Sequence, residues 1–348
     1  MKIIINASDS HCGGGKVLLN DLLDAVSQRR DIDFFVFVDR RYDKLSYSAD
    51  NIHFIEVSVP KRFFVDKKIG ELVNKTDVVL NISDLPPLKK HECQVLQYLQ
   101  NRYFIDDYST SGLPLIVRLR LAFEKLAFKI YLKNADQLVV QNLVMKELLL
   151  KKGFKDDVIR ILPFKNIEMI VESDIKKEKN SFIYVASDEP HKNHKNLILA
   201  WQLLKNEGIN PLLYLIGIKK DTHLFKDLTN QISTHGLNVK IIPTLARNEL
   251  FGYYRKVSAL IYPSYFECFG LPIVEAMRFD LAVIASELDY VRDLLDPAET
   301  FDPKSARSIS RAIKRFLKQK EQRNEVLTAD EFINHIISSV ENGDFQKD

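Results

Sequence analysis

Cysteine is scarce. Cys12, Cys93 and Cys268 are the three in 348 residues, and they lie too far apart to form a metal-ligand spacing or a disulfide framework. That excludes a disulfide-stapled fold and favours a reducing compartment. No apolar run reaches about 18 residues, so no membrane-spanning helix is expected. The opening MKIIINASDS reads as a short strand and lacks the longer apolar core of a signal peptide. A cytoplasmic protein, soluble or peripheral at the inner face of a membrane, is the expectation. A charge surplus is also missing: 50 Lys and Arg against 47 Asp and Glu leave +3, a balance that argues neither for nor against nucleic acid; no nucleic-acid partner is expected. His11, His191 and His194 are scattered over both halves of the chain. Each reads as a polar contact rather than a ligand, so no metal and no cofactor are expected. No repeat of solenoid length is present.

At roughly 150 residues per domain, the length implies about two domains, and 46% apolar residues is enough for substantial cores. Residues 2–7 read as a buried strand and 8–15 as a glycine-rich turn. A helix over 16–29 follows, with Val17, Leu18, Leu22, Leu23 and Val26 at helical spacing. Gly13, Gly14 and Gly15 at this junction let the backbone approach a ligand, or serve only as a tight turn. A Walker A loop is excluded because Ser10 stands where its first glycine belongs. The dinucleotide fingerprint is excluded because Leu18 stands where its third does. Further strands are expected over 34–38, 52–57, 78–82 and 95–98, alternating with helical or irregular stretches, which implies a parallel sheet covered on both faces.

A long helix over 114–133 places Arg118, Lys125, Lys129 and Lys133 on one face among Leu, Phe, Ile and Tyr. It offers a peripheral contact with an anionic bilayer, or is a core helix with a solvated lysine edge. Residues 163–180, with few aromatics and a KKEKN cluster, read as a linker. The strand–helix alternation then restarts at Ser181.

The stretch that organises the chain is 259–286, ALIYPSYFECFGLPIVEAMRFDLAVIAS. An apolar strand stops at Pro263 and Ser264, a loop carries Glu267, and a helix opens at Gly270-Leu271-Pro272. Proline suits a first helical turn because its missing N–H would be unpaired there anyway. The free N–H groups and the positive end of the helix dipole form a receptor for phosphate or pyrophosphate. Glu267 before the turn and Glu275 one turn inside flank that site, where the hydroxyls of a sugar would suit them.

These residues resemble the retaining GT-B glycosyltransferases of glycosyltransferase family 4. The family's hallmark is P-S-x-x-E-G-F-G-L-P-x-x-E-A-M. This chain has Pro263, Ser264, Glu267, Phe269, Gly270, Leu271, Pro272, Glu275, Ala276 and Met277 in register, with Cys268 in place of a glycine. A second segment, SFIYVASDEPHKNHKNLILAW, resembles the family's P-x-K-N loop with Lys192 as its lysine and Lys195 as the fallback. Ser187 stands where some relatives have arginine. The family's later Cys-Gly, at the floor of the implied donor pocket, appears here as Phe279-Asp280.

The resemblance implies a GT-B fold: two facing Rossmann-like α/β domains, at 1–165 for the acceptor and 180–325 for the donor, with a C-terminal helix over 326–348 crossing back. It implies transfer of a hexose-type sugar from a UDP- or GDP-linked donor to a saccharide or lipid-linked saccharide, with retention and without metal. Surface polysaccharide or glycoconjugate synthesis is the implied setting. Lys192 would reach the donor phosphate, Glu267 would contact the hexose, and Glu275 would hold the ribose. Phe269, Gly270, Leu271, Pro272, Ile273 and Gly15 would line the donor, and Gly14, Asn101 and Arg102 the acceptor. A nucleotide-sugar epimerase of the same fold, or a non-catalytic nucleotide-sugar-binding protein, is the alternative.

Overall fold

The computed structural model describes residues 1–11, 13–43, 47, 49–57, 62–106, 115–164 and 177–319. Cys12, most of the expected linker, and the helix and tail expected over 326–348 lie outside the described residues. The first half runs β1 (Lys2–Ala7), α1 (Gly13–Val26), β2 (Asp33–Asp39), β3 (Ile52–Val57), α2 (Arg62–Leu72), β4 (Val78–Asn81), β5 (Gln94–Tyr98), α3 (Leu115–Tyr131), β6 (Gln137–Val140), α4 (Leu143–Lys151) and β7 (Ile159–Ile161). The second runs β8 (Ser181–Val185), α5 (His194–Asn206), β9 (Leu212–Ile216), α6 (His223–Thr234), β10 (Val239–Ile242), α7 (Arg247–Lys256), β11 (Ala259–Tyr262), α8 (Leu271–Arg278), β12 (Ala282–Ser286), α9 (Asp289–Arg292), β13 (Glu299–Phe301) and α10 (Ala306–Phe316).

Two separate parallel sheets result. The first has the order β3-β2-β1-β4-β5-β6-β7 and the second β10-β9-β8-β11-β12-β13. Both are doubly wound, and each reverses direction beside its first strand. In such sheets a crevice opens where the strand order reverses, outside the carboxyl ends of the strands. The loops that follow β1 and β4, and those that follow β8 and β11, are therefore where ligand chemistry belongs.

Strands β8, β9 and β11 are apolar without alternation because helices cover both faces. Phe182, Ile183 and Tyr184 of β8, Leu213 and Leu215 of β9, and Ala259, Leu260 and Ile261 of β11 are all buried in one continuous core. Helix α5 contributes Leu197, Ile198, Trp201 and Leu204, spaced to fall on one face. Trp201 also satisfies its indole N–H on the Pro211 carbonyl at 2.9 Å. Each such side chain stabilises the fold by about 1.5–3 kcal/mol relative to exposure.

Several elements differ from the sequence expectation. Helix α1 begins at Gly13, whose φ of +61° is a left-handed value that glycine takes at little cost. Gly14 and Gly15 therefore lie in its first turn rather than in a preceding loop. The helix stops at Val26, not at residue 29, because the Asn51 side-chain amide takes the carbonyls of Val26 at 2.9 Å and Arg29 at 2.8 Å. Strand β13 and helix α9 were unforeseen, since three or four residues are too few to show a period.

Gly217, just after β9, has φ of +106°, and a Cβ there would stand 2.9 Å from the Ala186 carbonyl oxygen. Gly217→Ala is expected to lose about 2 kcal/mol or more in urea unfolding, from backbone strain and clash together. Gly208→Ala, at φ of +78° with open space around it, should lose only about 1 kcal/mol. Equal losses would show that the close approach to Ala186 contributes nothing.

Candidate active site

The loop leaving β8 closes with a short 3-10 turn, Pro190–Lys192, and Asn193 then adopts a left-handed φ of +59° at the start of α5. Asparagine tolerates that conformation better than most residues. Its amide bonds the carbonyls of Pro263 at 2.9 Å and Pro303 at 2.7 Å. From below, the Tyr184 hydroxyl donates to the Lys192 carbonyl at 2.6 Å. The backbone of Lys192 is thereby fixed on two sides.

The loop leaving β11 is fastened just as firmly. The Ser264 carbonyl accepts from Ser286 Oγ and from the Tyr290 hydroxyl, each at 3.0 Å. The Tyr265 N–H donates to the His191 carbonyl at 2.9 Å, stitching the two loops together. Lys192 Nζ then meets both Glu267 oxygens, at 2.7 and 2.9 Å, and the Tyr262 hydroxyl donates to Glu267 Oε1 at 3.0 Å. Burial, the largest single influence, works to raise the Glu267 carboxyl, but the charge and hydrogen bond of Lys192, with His191 and Ser264, together hold the group below its ordinary value. The two residues expected to carry catalysis thus lie together, from loops on either side of the second sheet's reversal.

Gly270 caps α8 with φ of +75° and ψ of +53°. The Ile273 N–H donates back to the Gly270 carbonyl at 2.9 Å, and Pro272 has no N–H. The anion-binding donors expected over Phe269 to Ile273 are therefore narrowed to those before Pro272. Leu271 packs against the first domain's core, and a Cβ on Gly14 would stand 3.2 Å from Leu271 Cδ1. A Cβ on Gly15 would stand 3.3 Å from both Gln100 Oε1 and Ser10 Oγ. The amino ends of α1 and α8 face each other, one from each sheet.

Glu275 is buried, and the Tyr254 hydroxyl donates to its Oε2 at 3.1 Å. Burial, and then the Glu275 carboxylate, push the Tyr254 phenol well above its usual value, so Tyr254 stays a neutral donor. The Phe279 ring stacks on Tyr254 at 5.6 Å, and Asp280 follows with φ of +46°. A helix commonly ends on a left-handed glycine, and Asp is among the side chains that tolerate the same φ. The Phe279-Asp280 departure therefore belongs to the carboxyl end of α8, away from the end that faces Gly14. Lys195 is exposed and stands apart from Glu267, whereas Lys192 pairs with it.

Asn101 and Arg102 lie where the two halves meet. The Asn101 side-chain oxygen caps a 3-10 turn by accepting from the Tyr103 N–H at 3.1 Å. Arg102 pairs with Asp106 at 2.7 Å and lies over the Phe266 ring at 5.4 Å. Its backbone N–H donates to Cys268 Sγ at 3.0 Å, and Asn142 Nδ2 donates to the Cys268 carbonyl at 2.6 Å. The Tyr103 hydroxyl and His191 Nδ1 are hydrogen-bonded at 3.2 Å. The His191 ring stacks on Phe266 at 4.4 Å, and Tyr103 meets Phe266 edge-on at 5.4 Å. An ion pair, Arg247 to Asp21 at 3.1 Å, joins the halves on α7 and α1.

Sequence reasoning missed Tyr103, Phe266, Tyr262, Tyr254 and the Asp21–Arg247 pair. Asn193 carried a signal, its place beside Lys192. Among the described residues no group of three or more His, Cys, Asp or Glu is arranged to hold a metal ion.

Residues 165–329 match the family model described as Glycosyl transferases group 1. The serotype-specific mannosyltransferase WbdA of Escherichia coli is 30% identical over 146 residues, covering 41% of this chain and 18% of WbdA. The O-antigen chain mannosyltransferase RfbU of Salmonella typhimurium (strain LT2) is 33% identical over 144 residues, covering 40% of this chain and 39% of RfbU. The matched stretch is thus well under half the length of either relative. The crystal structure of Anabaena HepE in complex with UDP and glucose superposes with a TM-score of 0.66 at 17% identity, covering 91% of this chain and 90% of HepE. That likeness shows the fold: two parallel-sheet α/β domains in the GT-B arrangement.

Burial, and then the Lys192 charge, lower His191 from 6.5 to about 4, so the unfolded chain takes up that proton first. The contribution of His191 to stability is expected to be present above pH 6.5 and lost as the pH falls from 6.5 to about 4. The change should be about 3 kcal/mol. His191→Phe, which keeps the stack on Phe266, should remove that share of the slope in denaturant titrations run across this pH range. Buried His194, also lowered, should leave a residue of it. An unchanged slope would mean that His191 is solvated.

Proposed function

We propose that the protein is a glycosyltransferase that moves a hexose from a nucleoside-diphosphate donor, UDP- or GDP-linked, to a saccharide or lipid-linked saccharide acceptor. The observation that carries this reading is the Lys192–Glu267 pair, 2.7 Å apart, set beside the amino end of α8 at the second sheet's point of reversal. A cation, a carboxylate and a helix amino end together match a sugar joined to a diphosphate. The matched family model and the mannosyltransferase relatives support a hexosyl donor. The UDP and glucose in HepE support a nucleotide-linked one.

In this reading the diphosphate lies at the amino end of α8, beside Gly270 and Lys192 and near the glycines of α1. Lys192 turns from Glu267 to the β-phosphate, and the freed carboxylate accepts hydroxyls of the hexose. The bond from the anomeric carbon to the phosphate oxygen breaks, and the acceptor oxygen bonds that carbon on the same face. The acceptor proton passes to the leaving phosphate, so no protein base is needed and the configuration is retained. Lys192 and the helix amino end meet the developing charge without a metal. Glu275, held by Tyr254, would serve the donor ribose. Gly14, Asn101 and Arg102 would border the acceptor, and closure of the cleft would exclude water. A lipid-carried acceptor would make the protein peripheral at the inner face of a membrane, in surface polysaccharide or glycoconjugate synthesis.

Lys192→Ala is expected to reduce transfer by about 10²–10³, measured with UDP-glucose, UDP-galactose and GDP-mannose on extracted acceptor while circular dichroism stays native. The donor that supports transfer should raise the melting temperature, since ligand at about 100 times its dissociation constant adds roughly 2.7 kcal/mol. Conversion of free donor to an epimer in the absence of acceptor, or full activity in the Lys192 variant, would end this reading.

A further inference from the structure

Helix α3 is apolar on two opposite sides. On one, Phe128 is buried and stacks on Phe104 at 5.3 Å, and Lys125 Nζ reaches the Asp106 carbonyl at 2.6 Å. On the other, Leu115, Leu119, Phe123, Leu126 and Ile130 are 66%, 63%, 72%, 56% and 48% exposed. At about 100° per residue these five fall within an arc of about 80°, centred opposite Phe128. Ile116 extends the stripe and is 81% exposed. Large apolar surfaces of this kind on a folded protein mark an interaction site.

The charge around the stripe identifies what covers it. Over Leu115–Tyr131 the helix carries Arg118, Arg120, Lys125 and Lys129 against the single acid Glu124. Arg118 and Lys129 border one edge of the stripe, Arg120 the other, and Lys133 follows just beyond. Pairing this face with its twofold copy would bring the same cations together. A surface that is anionic outside and apolar inside meets both demands, because the long basic side chains reach its headgroups while the stripe enters its acyl boundary. Among the described residues no helix is long and apolar enough to cross a membrane, so α3 lies along the surface.

We infer that α3 docks the protein on an anionic lipid bilayer through this stripe. The underside of α3 rests on residues 102–106, the segment whose Arg102 and Tyr103 touch Cys268 and His191 at the cleft. Docking therefore sets the cleft close above the headgroups. The consequence, that a lipid-carried acceptor reaches the site from the bilayer, rests on the transferase reading; the docking itself does not.

The test is co-sedimentation of the full chain with vesicles of phosphatidylcholine alone and of phosphatidylcholine mixed with phosphatidylglycerol. The wild type should bind the anionic vesicles about tenfold more tightly than the neutral ones and be partly released by salt. The double variant Leu119→Glu, Phe123→Glu alters only exposed side chains and should keep the wild-type melting temperature. It should lose about tenfold or more in vesicle binding. Arg118→Glu with Lys129→Glu should abolish the preference for anionic lipid. No wild-type binding, equal binding by the Leu119/Phe123 variant, or a wild-type dimer that this variant turns into a monomer in sedimentation would overturn the docking. Nucleotide-sugar stabilisation, measured on the same preparations, tests transfer separately. Vesicle binding without any donor binding would leave the docking standing and remove the lipid-carried acceptor.

Discussion

Everything at the cleft depends on one ion pair between two loops. Lys192 and Glu267 are 75 residues apart in sequence, and each is largely withdrawn from water, with side chains 15% and 11% exposed. Taking two charges out of water costs several kcal/mol, and a pair so placed is poor evidence for stability. Its value is positional. Asn193, Tyr184, Ser286 and Tyr290 all spend hydrogen bonds on holding the two loops, and their common result is a cation and a carboxylate in fixed register. Such a pair holds charge ready without burying an unpartnered ion, and an incoming anion can take the cation over.

The second constraint is that the site belongs to both halves. Leu271, the first residue of α8, packs into the first domain's core against Gly14, so the amino end of α8 is closed by the amino end of α1. Around it the halves meet through the Tyr103–His191–Phe266 ring cluster, the Arg102 guanidinium over Phe266, the two hydrogen bonds to Cys268 and the Asp21–Arg247 pair. The rings supply apolar area and the ion pair supplies direction. Domain interfaces of this polar character permit relative motion. The observed arrangement is a closed one, in which a ligand at α8 would touch both sheets.

The sequence made the fold legible wherever an element was long and periodic. The apolar strands of both sheets and the helices between them could be read from their spacing, because burial on both faces leaves continuous apolar runs. The ends of elements were not legible. The start of α1 depends on a left-handed glycine and its stop on an asparagine from a distant loop, and neither shows as a period. At the candidate site, Glu267, Glu275 and Lys192 were visible because they sit in a dense motif. Their partners were not. Tyr254 is 21 residues from Glu275, and Tyr103 is 88 from His191; only the folded sheets bring them together.

The departures from the family pattern follow the same physics. Asp280 stands at a left-handed helix end, a position that asks for tolerance of positive φ. Cys268 stands where a glycine is usual, directly after Glu267, and its sulfur takes the backbone N–H of Arg102. Burial raises its thiol to about 12, so it remains a neutral acceptor rather than a nucleophile. A glycine there could keep the Asn142 bond to the carbonyl but not the Arg102 bond to the side chain. The exchange therefore adds a contact between the halves at the residue next to the carboxylate. In this chain the motif that holds charge is also a point where the two halves touch.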